Sequence, residues 1–555
     1  MKKIIALSIL LLMVSLTLSP IIKGFSLEQE LNQIINPAIT TQGGNTLYVG
    51  GSGPGNYTTI QAAIDDSNNG DTIIVYNGIY YENLIINKGV KLKGENKKNT
   101  IIDGSKHDNV LNITADGVTI TSFTIRNSKE DFAGIEIRSK YTTIKDNIIS
   151  NNERGVLLYY SSNNKILDNT IKNNIREGIW AKYSSNNLFR GNTIKDNNNF
   201  GLILGPNSNY NEVKGNTITG HILGNGINIA LNLYDPAPSH HNSVVNNVIS
   251  NNNQGLMMHG TTYNEIRDNT ISDCNLHGIY LWDSEHNTFS GNTISNVKSR
   301  DGLHLEDADD NTISNNVISN CNENGLVLSS SDSNKIYENT IKENSENGIY
   351  IWKAINNEIY HNNIIDNTKN VGYYDDGKSS NSWDKGPTTG GNYWSDYNGE
   401  DDNGDGIGET PYKIHGTTDK DNYPFMNQNG WNSHVPTKPT INGPASGIKD
   451  NKYEYTFCST DPDKDNVYYW IEWGDGTNTG WVGPFSSGET IKKTHTWSNS
   501  GIYTLKAKAK DTNNVESDWS SMTITMPRTK SFNIDFFEKL SNMFPMIKQI
   551  FQYLR

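Results

Sequence analysis

Residues 269–291 read NTISDCNLHGIYLWDSEHNTFSG, and this phrase decides the fold. Asn269-Thr-Ile starts one short β-type run, and Gly278-Ile-Tyr-Leu-Trp282 starts another. The phrase recurs. Asn-(Thr/Val/Ile)-Ile begins at Asn147, Asn169, Asn192, Asn216, Asn247, Asn269, Asn292, Asn316, Asn339 and Asn363, in steps of 22, 23, 24, 31, 22, 23, 24, 23 and 24. A Gly opening an apolar run keeps pace at Gly134, Gly155, Gly178, Gly201, Gly226, Gly255, Gly278, Gly302, Gly325 and Gly348. A period near 23 with strand-like segments and Asn/Gly corners predicts one coil of a parallel β-solenoid per repeat. No segment carries a 3.6-residue apolar period, which excludes helical repeats.

Alternation after each Gly sorts the side chains. The first position is Ile135, Val156, Ile179, Leu202, Ile227, Leu256, Ile279, Leu303, Leu326 and Ile349, and the third is as uniformly apolar, from Ile137 to Ile351. Both face inward and stack into aliphatic columns at a coil spacing of about 4.8 Å. The repeated Asn belongs at a corner, where it tolerates the turn and hydrogen-bonds to the next coil. One step, Asn216 to Asn247, is long and holds Tyr234, Asp235, His240 and His241, a loop placed to overhang the outer face near His259.

The chain has 555 residues and a formal charge of −14, which argues against nucleic acid as a partner. Three Cys cannot make a disulfide scaffold. Lys2-Lys3 before an apolar run from Ile4 to Ile22 predicts a signal peptide or signal anchor over 1–25, then a linker over 26–43, and so a secreted or cell-surface protein. The solenoid is expected over 44–398, an acidic segment over 399–432, a β-sandwich over 433–527 and an amphipathic tail over 528–555. That tail suits docking on a membrane or the cell envelope.

The NxGIxL…NxIxxNTI pattern resembles right-handed parallel β-helices of the NosD type, from about Leu47 to Tyr397. The segment 53–65 (GPGNYTTIQAAID), followed by Gly70-Asp-Thr-Ile-Ile-Val75, resembles the start of pectin-methylesterase-type helices, with a capping helix over Thr59–Asp66. The resemblance implies an all-β chain on a scaffold shared by carbohydrate-binding proteins and sugar hydrolases, and it names copper. For copper, Met257 and His259 are the outward candidates, with Met258 turned inward; Cys274 and Cys321, two coils apart, are too distant for one metal or a disulfide.

The outward positions carry the chemistry. An exposed strand face should be Thr, Ser, Lys and Glu, yet this one presents Tyr159, Trp180, Tyr280, Trp282, Tyr350 and Trp352. Aromatic rows on a rigid surface suit a polysaccharide or cell-surface glycan. His304 and Glu306, with His259 two coils before Glu306 in the same column, are the catalytic candidates for a lyase, hydrolase or epimerase. The pectin-methylesterase signature and the paired-Asp motifs of polygalacturonases are absent, so binding without catalysis is the leading expectation.

Asp401-Asp-Asn-Gly-Asp-Gly-Ile-Gly-Glu409 predicts structural calcium through Asp401, Asn403, Asp405 and Glu409, although Tyr412 stands where an EF-hand has Glu. After Val435-Pro-Thr-Lys-Pro439, alternating runs predict a sandwich; Trp473-Gly-Asp-Gly-Thr477, His495-Thr-Trp497 and Gly501-Ile-Tyr503 resemble the polycystic-kidney-disease (PKD) domain. This implies an extracellular spacer, with Cys458 as a buried core thiol.

Overall fold

A computed structural model describes residues 44–230, 237–374, 380–403, 405–432, 435–462, 464–512 and 514–527. The expected signal segment, the 26–43 linker, the C-terminal tail, Tyr234 and Asp235 lie outside the described residues.

Three parallel sheets run the length of the solenoid. The first begins with Thr46–Val49 and has 14 strands, the second begins with Gly78–Tyr81 and has 14, and the third begins with Leu84–Ile86 and has 13. Each coil visits the first, second and third sheet in turn, as in Thr143–Lys145, Ile148–Ser150 and Arg154–Tyr159. Strands this short cannot stand alone; neighbouring coils supply both hydrogen-bond partners. The inward columns are fully buried, with Ile135, Val156, Ile279, Leu303, Met258 and Leu281 all at 0% exposure. The Gly preceding them is sterically required. A Cβ on Gly278 would stand 2.4 Å from Ile294 Cγ2 and 2.6 Å from the Gly302 carbonyl of the next coil.

The corners hold three ladders of buried amides rather than one. Between the first and second sheets, Asn292 Oδ1 accepts from the Asn269 backbone N–H (3.1 Å) and Nδ2 (3.0 Å), and its own Nδ2 donates to Ile266 O (2.8 Å) and Asn316 Oδ1 (2.9 Å). A second ladder, between the second and third sheets, includes Asn152, Asn174 and Asn197. The third runs between the third and first sheets from Asn164 to Asn381. A left-handed residue precedes the amide, as at Asp146, Asn151 and Asn163. At the last coil the sequence register needs correction. Asn362, not Asn363, continues the ladder by accepting from Asn339 N (3.0 Å), because Ile364 must pair with Ile341 on the inward side.

Both ends are covered. The helix Ile60–Asp66 is N-capped by Thr59, and its first amides donate to the Glu82 carboxylate (2.8 and 2.9 Å). At the other end Trp383 and Trp394 are buried, and Tyr412 stacks on Trp394 at 4.2 Å. Edges so covered cannot template further strands.

Beyond the solenoid, a three-stranded and a four-stranded antiparallel sheet share one core of Tyr455, Phe457, Tyr469, Trp473, Trp497 and Leu505, a sandwich over Thr440–Asn442 to Ser520–Met526. Cys458 departs from expectation. It ends a strand half-exposed, with Sγ against Gly488 O, because the strand's alternation points Phe457 inward instead.

Candidate functional site

The outer face of the third sheet carries two columns. One runs Met257, Tyr280, His304, Val327, Tyr350; the other runs His259, Trp282, Glu306, Ser329, Trp352, Tyr374. Trp282 is 39% and Trp352 46% exposed, while Val327 and Ser329 between them are 3% and 6% exposed. The small outward residues are thus sunk between two taller aromatic ends, about 14 Å apart across three coils.

The six predicted rings do not form one row. Tyr159 and Trp180 sit at the N-terminal end among cations: Arg138 lies over Tyr159 (4.8 Å), Arg154 over Trp180 (5.5 Å), and Lys182 near both. Ile203 with Gly205, and Asn228 with Ala230, separate this basic group from Tyr280 and Trp282. Tyr280, Trp282, Tyr350 and Trp352 belong to the other group, which is acidic and histidine-rich.

Within that group the structure brings His304 and Glu306 together with Tyr280, Asp301 and His277. Tyr280 donates its hydroxyl to Glu306 Oε2. His304 Nδ1 donates to Asp301 Oδ2 (2.8 Å). His277 stacks on the Tyr280 ring at 5.1 Å and meets His304 edge-on at 5.1 Å. Burial, reinforced by the bond to Glu306, pushes the Tyr280 hydroxyl up, so it remains protonated. Burial also holds the His277 imidazole well below the ordinary histidine range. Burial pushes the Asp301 carboxyl up, but hydrogen bonds from His304 and Asn324 outweigh it and leave the group below the ordinary range.

His277 carried a signal. It stands one residue before the strand glycine, in the column Arg154, Glu177, Asn225, Gln254, His277, Asp301, Asn324 and Asn347, which is polar in every coil named and is interrupted by Phe200. This column is largely buried; Arg154 and Glu177 pair within it at 3.1 Å. His259 is placed apart from the cluster: its ring stacks flat on Trp282 at 4.2 Å and 5°.

Met257 takes a hydrogen bond from Asn225 Nδ2 (3.4 Å), and His259 belongs to neither cluster of three His, Cys, Asp or Glu donors found among the described residues. Cys274 and Cys321 are buried in the second amide ladder, where burial pushes both thiols up to about 12. His240 and His241 lie in the turn from the third to the first sheet, where His241 stacks between Tyr210 and Tyr263 rather than near His259. In the acidic loop, Asp401 Oδ2 accepts from Gly406 N (2.9 Å), Asp405 Oδ1 from Ile407 N (2.9 Å) and Glu409 Oε2 from Asp402 N (3.0 Å). Asn403 Oδ1 accepts from Asp405 N (2.8 Å).

Residues 235–399 match the family model described as periplasmic copper-binding protein (NosD), and residues 88–233 match the model for the right-handed beta helix region. No curated protein matches the chain. Among solved structures, the A-module of the mannuronan C-5 epimerase AlgE4 from Azotobacter vinelandii is 18% identical, with a TM-score of 0.46, over 58% of this chain and 94% of that one. The periplasmic alginate epimerase AlgG is 14% identical, with a TM-score of 0.34, over 55% and 77%. The PKD domain of an M14-like peptidase from Thermoplasmatales archaeon SCGC AB-540-F20 is 46% identical, with a TM-score of 0.17, over 17% of this chain and 99% of that one. The body of the chain is a right-handed parallel β-helix, similar over residues 235–399 to NosD.

Proposed function

We propose that this is an extracytoplasmic β-helix protein that binds a polysaccharide across the outer face of its third sheet. The observation that supports this is the pair Trp282 and Trp352, exposed in one column with Glu306 and the buried Ser329 between them and the buried Val327 beside Ser329 in the neighbouring column. Flat rings about 14 Å apart can each stack on a sugar ring of one chain, because a coil rises about 4.8 Å, close to the length of one sugar unit. Glu306, Tyr280 and His304 supply hydrogen-bonding groups at one edge. The C-terminal sandwich serves in this reading as a PKD-like spacer, and the 401–409 loop as a calcium-binding closure of the helix end. Electrophoresis through gels cast with acidic and neutral polysaccharides tests the binding. Retardation that is lost in Trp282→Ala and Trp352→Ala supports it; unaltered migration in every gel overturns it.

A second reading, in which the protein acts on the chain it binds, is favoured by His304 and Asp301 standing beside Tyr280 and Glu306. Such chemistry would place a proton donor or acceptor, His304, within reach of a stacked sugar. Its test is product formation: new reducing ends, unsaturated uronate or epimerised uronate that vanish in His304→Ala and Glu306→Ala. Retardation with intact polysaccharide and no product removes it.

A further inference from the structure

We infer that His277, Asp301 and His304 form a binding site for a divalent first-row transition ion of the zinc class. The inference stands independently of any glycan. One ligand atom from each residue lies within 4.8 Å of the other two. His277 is 7% exposed, and its Nδ1 has no hydrogen-bond partner; it points toward Asp301 Oδ2 at 3.6 Å. The same carboxylate oxygen takes the 2.8 Å bond from His304 Nδ1. A buried ring nitrogen left unpaired is costly, and a cation between these three atoms gives it a partner.

The carboxylate is held from behind, as metal-ligating carboxylates are. Asp301 Oδ1 accepts from Asn324 N (3.1 Å) and Nδ2 (2.7 Å), and Asn324 Oδ1 in turn accepts from Asn347 Nδ2 (2.7 Å). These amides fix the carboxylate plane and leave Oδ2 turned to the two imidazoles. The rings are fixed as well, His277 by stacking on Tyr280 and both by contact with each other. Arg154 and Glu177 occupy the same column as His277 and Asp301 farther along, so the column tolerates buried charge, but there the two groups satisfy each other. At His277 the partner is missing.

The donor set decides the metal. Two imidazole nitrogens and one carboxylate oxygen suit zinc or copper(II), whereas calcium and magnesium want oxygen alone. Copper(II), the metal in the description of the matched family, binds such a set more tightly than zinc. On metal binding, His304 carries its proton on Nε2 and presents Nδ1 to the ion. Three protein ligands would leave a fourth position for water or another ligand.

The test is calorimetric titration of the chelator-stripped full chain with zinc, copper(II) and calcium, with bound metal counted after gel filtration. The expected result is one zinc per chain, with copper(II) competing for the same site and calcium not displacing it. His277→Ala and Asp301→Asn should weaken zinc about 100-fold or more, and Asn324→Ala about 10–100-fold. The half-buried His304 gives a variant, His304→Ala, that keeps the fold, checked by an unchanged melting curve, while losing the site. His286→Ala, in the exposed group with Glu285 and Asp310, should leave the affinity unchanged. No stoichiometric zinc or copper(II), or binding that persists in folded His304→Ala, overturns the inference.

Discussion

Trp282 and Trp352 stand at the same register position of the third sheet, three coils apart, with Glu306 and Ser329 between them. Every intervening pair is hydrogen-bonded backbone, so the distance between the two rings is set by the solenoid and not by loops. If the face binds a glycan, the two rings are its anchors. Trp282→Ala and Trp352→Ala should each weaken binding about tenfold or more and leave the melting temperature nearly unchanged. Tyr159→Ala should do little, because Arg138 and Lys182 already cover that ring. Equal losses from all three variants would count against two distinct groups.

The amide ladder makes the corners the most demanding positions for substitution. Asn292 is fully buried and its side chain makes four hydrogen bonds to three other residues. Asn292→Ala leaves the Asn269 amide, the Ile266 carbonyl and the Asn316 side chain short of a partner, at about 1–3 kcal/mol each. We expect a loss on the order of 4 kcal/mol in denaturant unfolding. Cys274→Ala, in the neighbouring ladder, should cost much less, since that thiol makes one long contact to Ser272 O at 3.5 Å.

The same burial predicts thiol reactivity. Cys274 and Cys321 are at 0% exposure with their thiols pushed up to about 12, and Cys458 is half-exposed. A thiol reagent at pH 8 should therefore modify one cysteine per folded chain and three after denaturation. Modification of all three in the folded protein would contradict the ladder placement.

The solenoid was readable because its period is enforced at every coil: the inward columns admit only apolar side chains and the position before them only glycine. Asn362 and Asn363 show the limit of that reading. Two adjacent amides fit the tripeptide almost equally, and only the pairing of Ile364 with Ile341 chooses between them. The ladder through Asn152 and Asn174 was harder to see because His221, Cys274 and Cys321 interrupt it. Trp282, His304 and Glu306 were visible as outward residues that break a polar pattern. His277 and Asp301 were harder to place, because the position before the glycine reads as polar in most coils but only the structure shows that it is buried. The splitting of the aromatic face came from Gly205 and Ala230, gaps whose effect depends on the cations stacked beside them.

Asp421 gives the closing segment a pH dependence of definite sign. It is fully buried beneath Trp394 and accepts from Asn392 N (2.7 Å), Trp394 Nε1 (2.9 Å) and Tyr423 N (3.1 Å). Burial nevertheless outweighs those bonds and pushes its carboxyl from 3.8 up to about 7. Between about pH 4 and 7 the folded chain holds a proton that the unfolded chain has released, so the unfolding free energy falls as pH rises. The contribution is complete below about pH 4 and lost by about pH 7, on the order of 4 kcal/mol in all. Asp421→Asn keeps an acceptor and removes the titration. The melting temperature of the wild type minus that of Asp421→Asn should therefore decline from pH 4 to 7 and level off above pH 8. A difference that stays constant, or that grows with pH, would mean the amide and indole donors hold Asp421 ionised throughout.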